Sequence, residues 1–273
     1  MKKIISVILA VSMVFAMLAL TGCGEKAQND TDSKGDAGAV QTLVVATNAE
    51  FEPFESIDSD GNFVGFDIDL MNAIGEKMGV SIKYDNMEFD GVVAAVTQGS
   101  CDVAISGLTI NEKRQKSVDF CDPYYSGAAQ VLIVAANDTH FTGTTKEELD
   151  EQLKNQTIGV CSGFTGQAYA EGDDEWGFEK IEGADVKIYE NISLAVKDLE
   201  NGSISAIIMD DTPATKAADG NDAVKVIDVE LTVEQYGIAV QKGNTDLATK
   251  INDALKALKD DGTVDKLLAK YEL

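Results

Sequence analysis

From Leu43 onward, short runs of β-branched and aliphatic residues alternate with segments whose apolar positions recur every three to four residues. The runs predict buried strands and the 3.6-residue recurrence predicts amphipathic helices. Residues 43–47 read as a strand. Ile68, Met71, Ile74 and Met78 then share one helical face within 67–78, and Gly79 supplies a helix stop. A strand over 81–84, a helix over 91–98 and a strand over 103–106 complete a first series. A second series repeats the order, with a strand over 157–161, a helix near 166–170, a strand over 186–189, a helix over 193–200 and a strand over 204–209. Gly99-Ser100 precedes the last strand of the first series, just as Gly202-Ser203 precedes that of the second. The repeated βαβαβ order predicts an α/β protein of two similar lobes, each a small doubly wound sheet of largely parallel strands. Amphipathic helices over 246–259 and 264–271, separated by Asp261-Gly262, close the chain.

The N-terminus has a different pattern. Lys2 and Lys3 precede an almost unbroken apolar run over 4–20, which ends in Leu20-Thr21-Gly22-Cys23. A positive start followed by an apolar stretch reads as an export signal. The ending resembles the bacterial lipobox, in which the chain is cut before a cysteine that becomes lipid-modified. Residues 1–22 are therefore expected to be a signal peptide, with Cys23 the lipidated residue that holds the protein to a membrane. The alternative is an uncleaved membrane anchor; both place the rest of the chain outside the cytoplasm. Residues 23–41 are small and polar, with hardly an apolar side chain, and read as a flexible tether.

Composition narrows the partners. The chain carries 22 Lys and Arg against 47 Asp and Glu, a formal charge of −25, and loss of the leader would remove only two of the positive charges. Such a surface repels phosphate backbones, so nucleic acid is excluded as a partner. The single histidine, His140, leaves no material for zinc chemistry or a histidine-based triad, and neither metal nor cofactor is expected. With Cys23 assigned to lipid, Cys101, Cys121 and Cys161 remain, an odd number. Cys101 and Cys121 are free to bridge, although nothing in their spacing demands it.

In open α/β sheets, ligands bind beyond the carboxyl ends of the strands. The segments that follow the expected strands are 48–54, 106–109, 162–166 and 210–213, a set rich in hydroxyls, glycines and aromatics with one or two carboxylates. Three stretches carry a specific resemblance: Gly65-Phe66-Asp67-Ile68-Asp69-Leu70, the run over 102–110 with Arg114, and Asp119-Phe120-Cys121-Asp122-Pro123-Tyr124-Tyr125. Weaker ones follow at 162–166, Asp211-Thr212-Pro213 and Gln235-Tyr236-Gly237. Together they resemble the amino-acid-binding proteins of ABC importers, the extracellular solute-binding family 3 with the type II periplasmic fold. The resemblance implies a lobe of 42–128 with 232–273 and a second lobe of 129–231, with chain crossings near 124–128 and 231–235. It also implies a monomer that binds a free amino acid and delivers it to a permease.

The same resemblance assigns roles. Arg114 would grip the ligand α-carboxylate, which a guanidinium fork suits better than lysine. Thr109 and the amides near Ser106 and Gly107 would share that carboxylate, joined by Thr165 from the second lobe. Asp211 would meet the ligand ammonium; by itself, Asp211 or Thr212 before Pro213 reads as a helix cap. Phe51 and Phe89 would sandwich the ligand side chain, with Phe54 behind the loop. Asn48, Cys161 and Asp210 hold positions that vary with ligand. The absence of an acidic residue at 48 disfavours a strongly cationic ligand, although Asp210 could restore a negative charge, and the lack of extra Lys or Arg disfavours an acidic one, so a neutral polar amino acid is the expectation.

Binding about ten heavy atoms at micromolar strength takes roughly 0.8 kcal/mol per atom. Exposed ion pairs contribute less than that, so the lobes must close over the ligand by hinge motion, as periplasmic binding proteins do. Two other functions fit the scaffold: a dehydratase related to these binding proteins, and a sensor subunit reporting to a separate signalling protein.

Overall fold

The computed structural model describes residues 40–273. The expected leader, Cys23 and all of the tether up to residue 39 lie outside the described residues.

Two five-stranded sheets carry the fold. The first has the spatial order Ser81–Asn86, Thr42–Thr47, Val103–Ala104, Ala239–Gln241, Val118–Phe120. The second has the order Asp185–Tyr189, Thr157–Cys161, Ala206–Asp210, Gln130–Ala135, Val224–Ile227. In each, the first three strands are parallel neighbours, with Val45 opposite both Tyr84 and Val103, and Ile158 opposite both Val186 and Ala206. The fourth strand runs against both of its neighbours. The two sheets thus share one plan, four strands one way and one reversed. The reversed strands were not among the expected elements. Gln130–Ala135 is buried along nearly its whole length, so it shows no period-two alternation to mark it.

Helices cover both sheets. Phe66–Met78, Phe89–Thr97, Thr245–Asp260 and Thr263–Tyr271 pack with the first. Phe66–Met78 ends as expected at Gly79, whose φ of 69° is a left-handed cap that a glycine adopts freely. Thr165–Glu171, Ile192–Glu200 and Asp211–Ala218 pack with the second sheet. Val45, Leu70, Ile74, Val103 and Leu255 lie in one core cluster, and Leu132, Leu149, Ile158 and Ile208 in another. Both clusters exclude water almost completely, and this burial is the main favourable contribution to folding.

The chain passes between the sheets through Tyr125–Ala128 and Glu234–Tyr236, which pair antiparallel with Tyr236 opposite Tyr125. Two paired strands bend together, so they suit a hinge. Cys101, Cys121 and Cys161 are buried free thiols, and the bridge open to Cys101 and Cys121 is not formed.

Candidate functional site

The loops beyond the carboxyl ends of both sheets meet around one small cavity. Phe51, Phe89, Gly107, Thr109 and Arg114 line it from the first sheet's side, and Phe164, Thr165 and Asp210 from the second's. The space among them is about 10 Å³, roughly the room for one water molecule. An amino acid can enter only if these walls part.

Arg114 sits in the short helix Glu112–Gln115, started by Asn111, whose side chain accepts from the Arg114 amide at 2.8 Å. The arginine is 8% exposed. Its Nη1 donates to the Thr109 carbonyl at 2.9 Å and its Nη2 to the Gly163 carbonyl at 3.1 Å, one from each lobe. Phe89 and Trp176 flank the guanidinium, with ring centroids 5.3 and 5.0 Å from Cζ. Burial lowers its pKa to about 10, an effect opposed by the negative charges of Glu234 and Asp210. It remains a cation at neutral pH.

Asp210 ends the strand Ala206–Asp210 and is 3% exposed. Its Oδ1 accepts from the Tyr236 hydroxyl at 2.6 Å. Burial, and then the charge of Glu234, push its pKa up to about 7. Asp211, expected to meet the ammonium, does not line the cavity. Its half-buried carboxylate accepts from the Thr212 amide at 2.8 Å in the first turn of Asp211–Ala218, which satisfies that helix's own end. The strand runs one residue further than expected, and that extra residue places Asp210 at the cavity.

Glu234 was missed. It is buried on the second crossing strand and gathers four hydrogen bonds. Gln130 Nε2 and the Thr232 hydroxyl donate to Oε1 at 3.0 and 2.7 Å. The hydroxyls of Thr109 and Thr165 donate to Oε2 at 2.7 and 2.9 Å. A hydroxyl has one proton to give. In this arrangement the two threonine hydroxyls therefore have none left for a ligand carboxylate and present lone pairs instead, which leaves the expected carboxylate contact to backbone amides such as that of Thr165.

The other expected residues divide. Phe51 and Phe89 line the cavity, but a third aromatic, Phe164, packs against both, with centroids 5.4 and 4.3 Å away. Gly107 lines it with φ at 50°; a Cβ there would lie 2.4 Å from the Phe51 ring, so only glycine fits. Its amide is not turned to the cavity, because it donates to Asp67 Oδ2 at 2.8 Å. Asn48 and Ser106 stand behind the wall. The Asn48 side chain donates to the Met87 carbonyl, and the Ser106 hydroxyl donates to Glu55 while accepting from the Asn48 amide. Cys161 is buried in the core, its thiol pushed up to about 12 mainly by burial and then by Asp210 and Glu50. Phe164 and Trp176 also went unassigned. Phe164 lay inside a candidate loop, and Trp176, the only tryptophan, had no motif around it.

Further contacts join the walls. Lys113 pairs with Asp173 at 2.7 Å, Lys116 with Glu175 at 3.0 Å, and the Ser162 hydroxyl donates to Asp90 at 2.6 Å.

Residues 43–273 match the model of bacterial extracellular solute-binding proteins, family 3. The chain belongs to this family. A probable histidine-binding protein of Neisseria gonorrhoeae is 35% identical over 99% of this chain and 96% of its own length. The lysine/arginine/ornithine-binding periplasmic protein of Escherichia coli K12 is 32% identical over 88% of this chain and 91% of its own. Among solved structures, an ancestral arginine-binding protein bound to arginine superposes with a TM-score of 0.74 at 39% identity, covering 84% of this chain and 97% of that one. The two-lobed type II periplasmic-binding architecture is shared with it.

Proposed function

We propose that this family 3 solute-binding protein captures a free amino acid with a basic side chain and delivers it to an ABC-type permease, while lipid on Cys23 holds it at the outer face of a membrane. The observation that carries the reading is the pairing across one cavity of a buried cation, Arg114, with a buried carboxylate, Asp210, from opposite sheets. A zwitterion offers the complementary pair, its carboxylate for Arg114 and its ammonium for Asp210. Both are hydrogen bonds between charged groups, the strong kind, and exclusion of water strengthens them further.

The basic preference, in place of the neutral polar one, draws on two supports. Relatives that match nearly full length are named for histidine and for lysine, arginine and ornithine. Around the cavity, Asp210 and Glu234 stand against Arg114 alone. With the site itself leaning negative, a second positive charge on the ligand is favourable.

Calorimetry and thermal shift across the twenty amino acids, ornithine and cystine test this. Arginine, lysine, ornithine or histidine should bind one to one near micromolar strength and be recovered unchanged. Preference for a neutral amino acid would overturn the basic assignment, and turnover would favour an enzyme.

A further inference from the structure

Behind the cavity wall, two carboxyl groups meet with no exposure to solvent. Glu55, from the short strand Glu55–Ile57, and Asp67, from the first turn of Phe66–Met78, are each 0% exposed. Glu55 Oε1 accepts from the Ser106 hydroxyl at 2.9 Å. Asp67 Oδ2 accepts from the Gly107 amide at 2.8 Å and from the Tyr124 hydroxyl at 2.6 Å. The remaining oxygens, Glu55 Oε2 and Asp67 Oδ1, are buried without a donor, and the two carboxyl groups hold the adjacent residues Ser106 and Gly107, close enough that the Asp67 charge acts on Glu55. Two buried anions side by side repel each other, and an unmet buried oxygen is costly. One proton between them resolves both orphans at once.

We infer that Glu55 and Asp67 share a single proton, carried by Glu55 and donated to Asp67, and that this acid–carboxylate pair is the positioning element for the Ser106–Gly107 turn. The asymmetry follows from the donors. Asp67 receives an amide and a phenol and stands in a helix's first turn, where negative charge is favoured; Glu55 receives one hydroxyl. Burial, and then the charge of Asp67, drive the Glu55 carboxyl well above its ordinary value of 4.5. Asp67 rises only to about 6, burial being opposed by the bonds from Tyr124, Gly107 and Glu55. The groups facing the pair are Tyr124 from the segment before the first crossing strand and Tyr84 from the strand Ser81–Asn86, both of which feel the Asp67 charge.

The chain of bonds gives work to two residues that do not reach the cavity. The Asn48 backbone amide donates to Ser106 Oγ at 3.0 Å and Ser106 to Glu55, the inferred proton joins Glu55 to Asp67, and Asp67 holds Gly107 under the Phe51 ring. The loops after two neighbouring strands are thereby fixed to one another. Any effect on affinity rests on the ligand site proposed above; the shared proton does not.

Glu55→Gln retains a donor toward Asp67 and an acceptor for Ser106, whereas Glu55→Leu retains neither. At neutral pH the infrared difference spectrum of wild type minus Glu55→Gln should show a protonated-carboxyl band, the contribution of Asp210 being common to both and cancelling. Because Glu55 keeps in the folded state a proton that the unfolded chain releases, its contribution to wild-type stability is full below the unfolded pKa and is lost as pH rises from there toward the raised folded value. Glu55→Gln should flatten that decline. With arginine as probe, Glu55→Gln should stay within about threefold of wild-type affinity, and Glu55→Leu should lose tenfold or more. An unchanged carboxyl band and an unchanged pH slope in Glu55→Gln would overturn the inference. If neither arginine nor lysine, ornithine or histidine binds wild type or variant, the ligand reading fails, while the band and the slope still decide the proton. A poorly folded Glu55→Leu leaves those two measurements intact.

Discussion

Asp210 and Asp211 are adjacent, alike in chemistry and opposite in placement. One closes a strand and faces the cavity with Tyr236 bonded to it; the other, in the first turn of a helix, accepts from the next residue's amide. Asp210→Asn should therefore weaken ligand binding at least tenfold, about 1.4 kcal/mol or more, without lowering the stability of the ligand-free protein, because the neutral amide spares the burial of a charge. Asp211→Asn should alter affinity less than threefold. Calorimetry and thermal unfolding of both variants check the contrast. The pH dependence has a definite sign. An ammonium needs the ionised carboxylate, so affinity should climb as pH rises through about 7, the value to which burial pushes Asp210, and then level off. Asp210→Asn should remove that step. Stability of the unliganded protein should run the other way for this group. A raised folded pKa makes its contribution full below the ordinary aspartate value and lost as pH rises toward 7.

At the scale of elements, much of the fold is legible, and the misses share causes. The parallel strands and their helices follow from hydrophobic period, and each observed counterpart lies within a few residues of expectation. The helix Lys146–Leu153 had a readable start that went unused: the Thr145 side chain accepts from the Glu148 amide while the Glu148 carboxylate accepts from Thr144. Strand ends are harder. With the strand expected to end at Met209, the ammonium falls to Asp211; the strand in fact runs through Asp210, which sets that residue at the cavity and its neighbour in the first turn of the helix. Glu234 was invisible for another reason: its burial depends on hydroxyls 69 and 125 residues away in sequence. The Ser106–Gly107 turn offers a test at this scale. Gly107→Ala would drive a methyl into the Phe51 ring and add backbone strain at positive φ, so it should cost about 1–3 kcal/mol of stability and weaken binding. Chemical unfolding and calorimetry measure the two losses.

Across the whole molecule, the two lobes are held together around the cavity. Contacts that join the two sides of the cavity run through Arg114 to Gly163, through Glu234 to Thr109 and Thr165, and through Lys113 to Asp173. The last is exposed and contributes at most about 1 kcal/mol, less at high salt. A ligand that binds only the closed form stabilises it by about 2.7 kcal/mol at a hundredfold excess over Kd. For a chain of this length that raises Tm by about 5–10 °C. Trp176, the single tryptophan, lies against Arg114, so its emission should change on binding and report the motion directly. An unchanged spectrum at saturating ligand would argue against rearrangement at the arginine. The most direct test of the central claim uses the cognate amino acid beside its methyl ester and its Nα-acetyl derivative in calorimetric titrations. If Arg114 holds the carboxylate and Asp210 the ammonium, the parent should bind near micromolar strength and each derivative at least a hundredfold more weakly. Equal affinity for either derivative would contradict the claim that both poles are clamped.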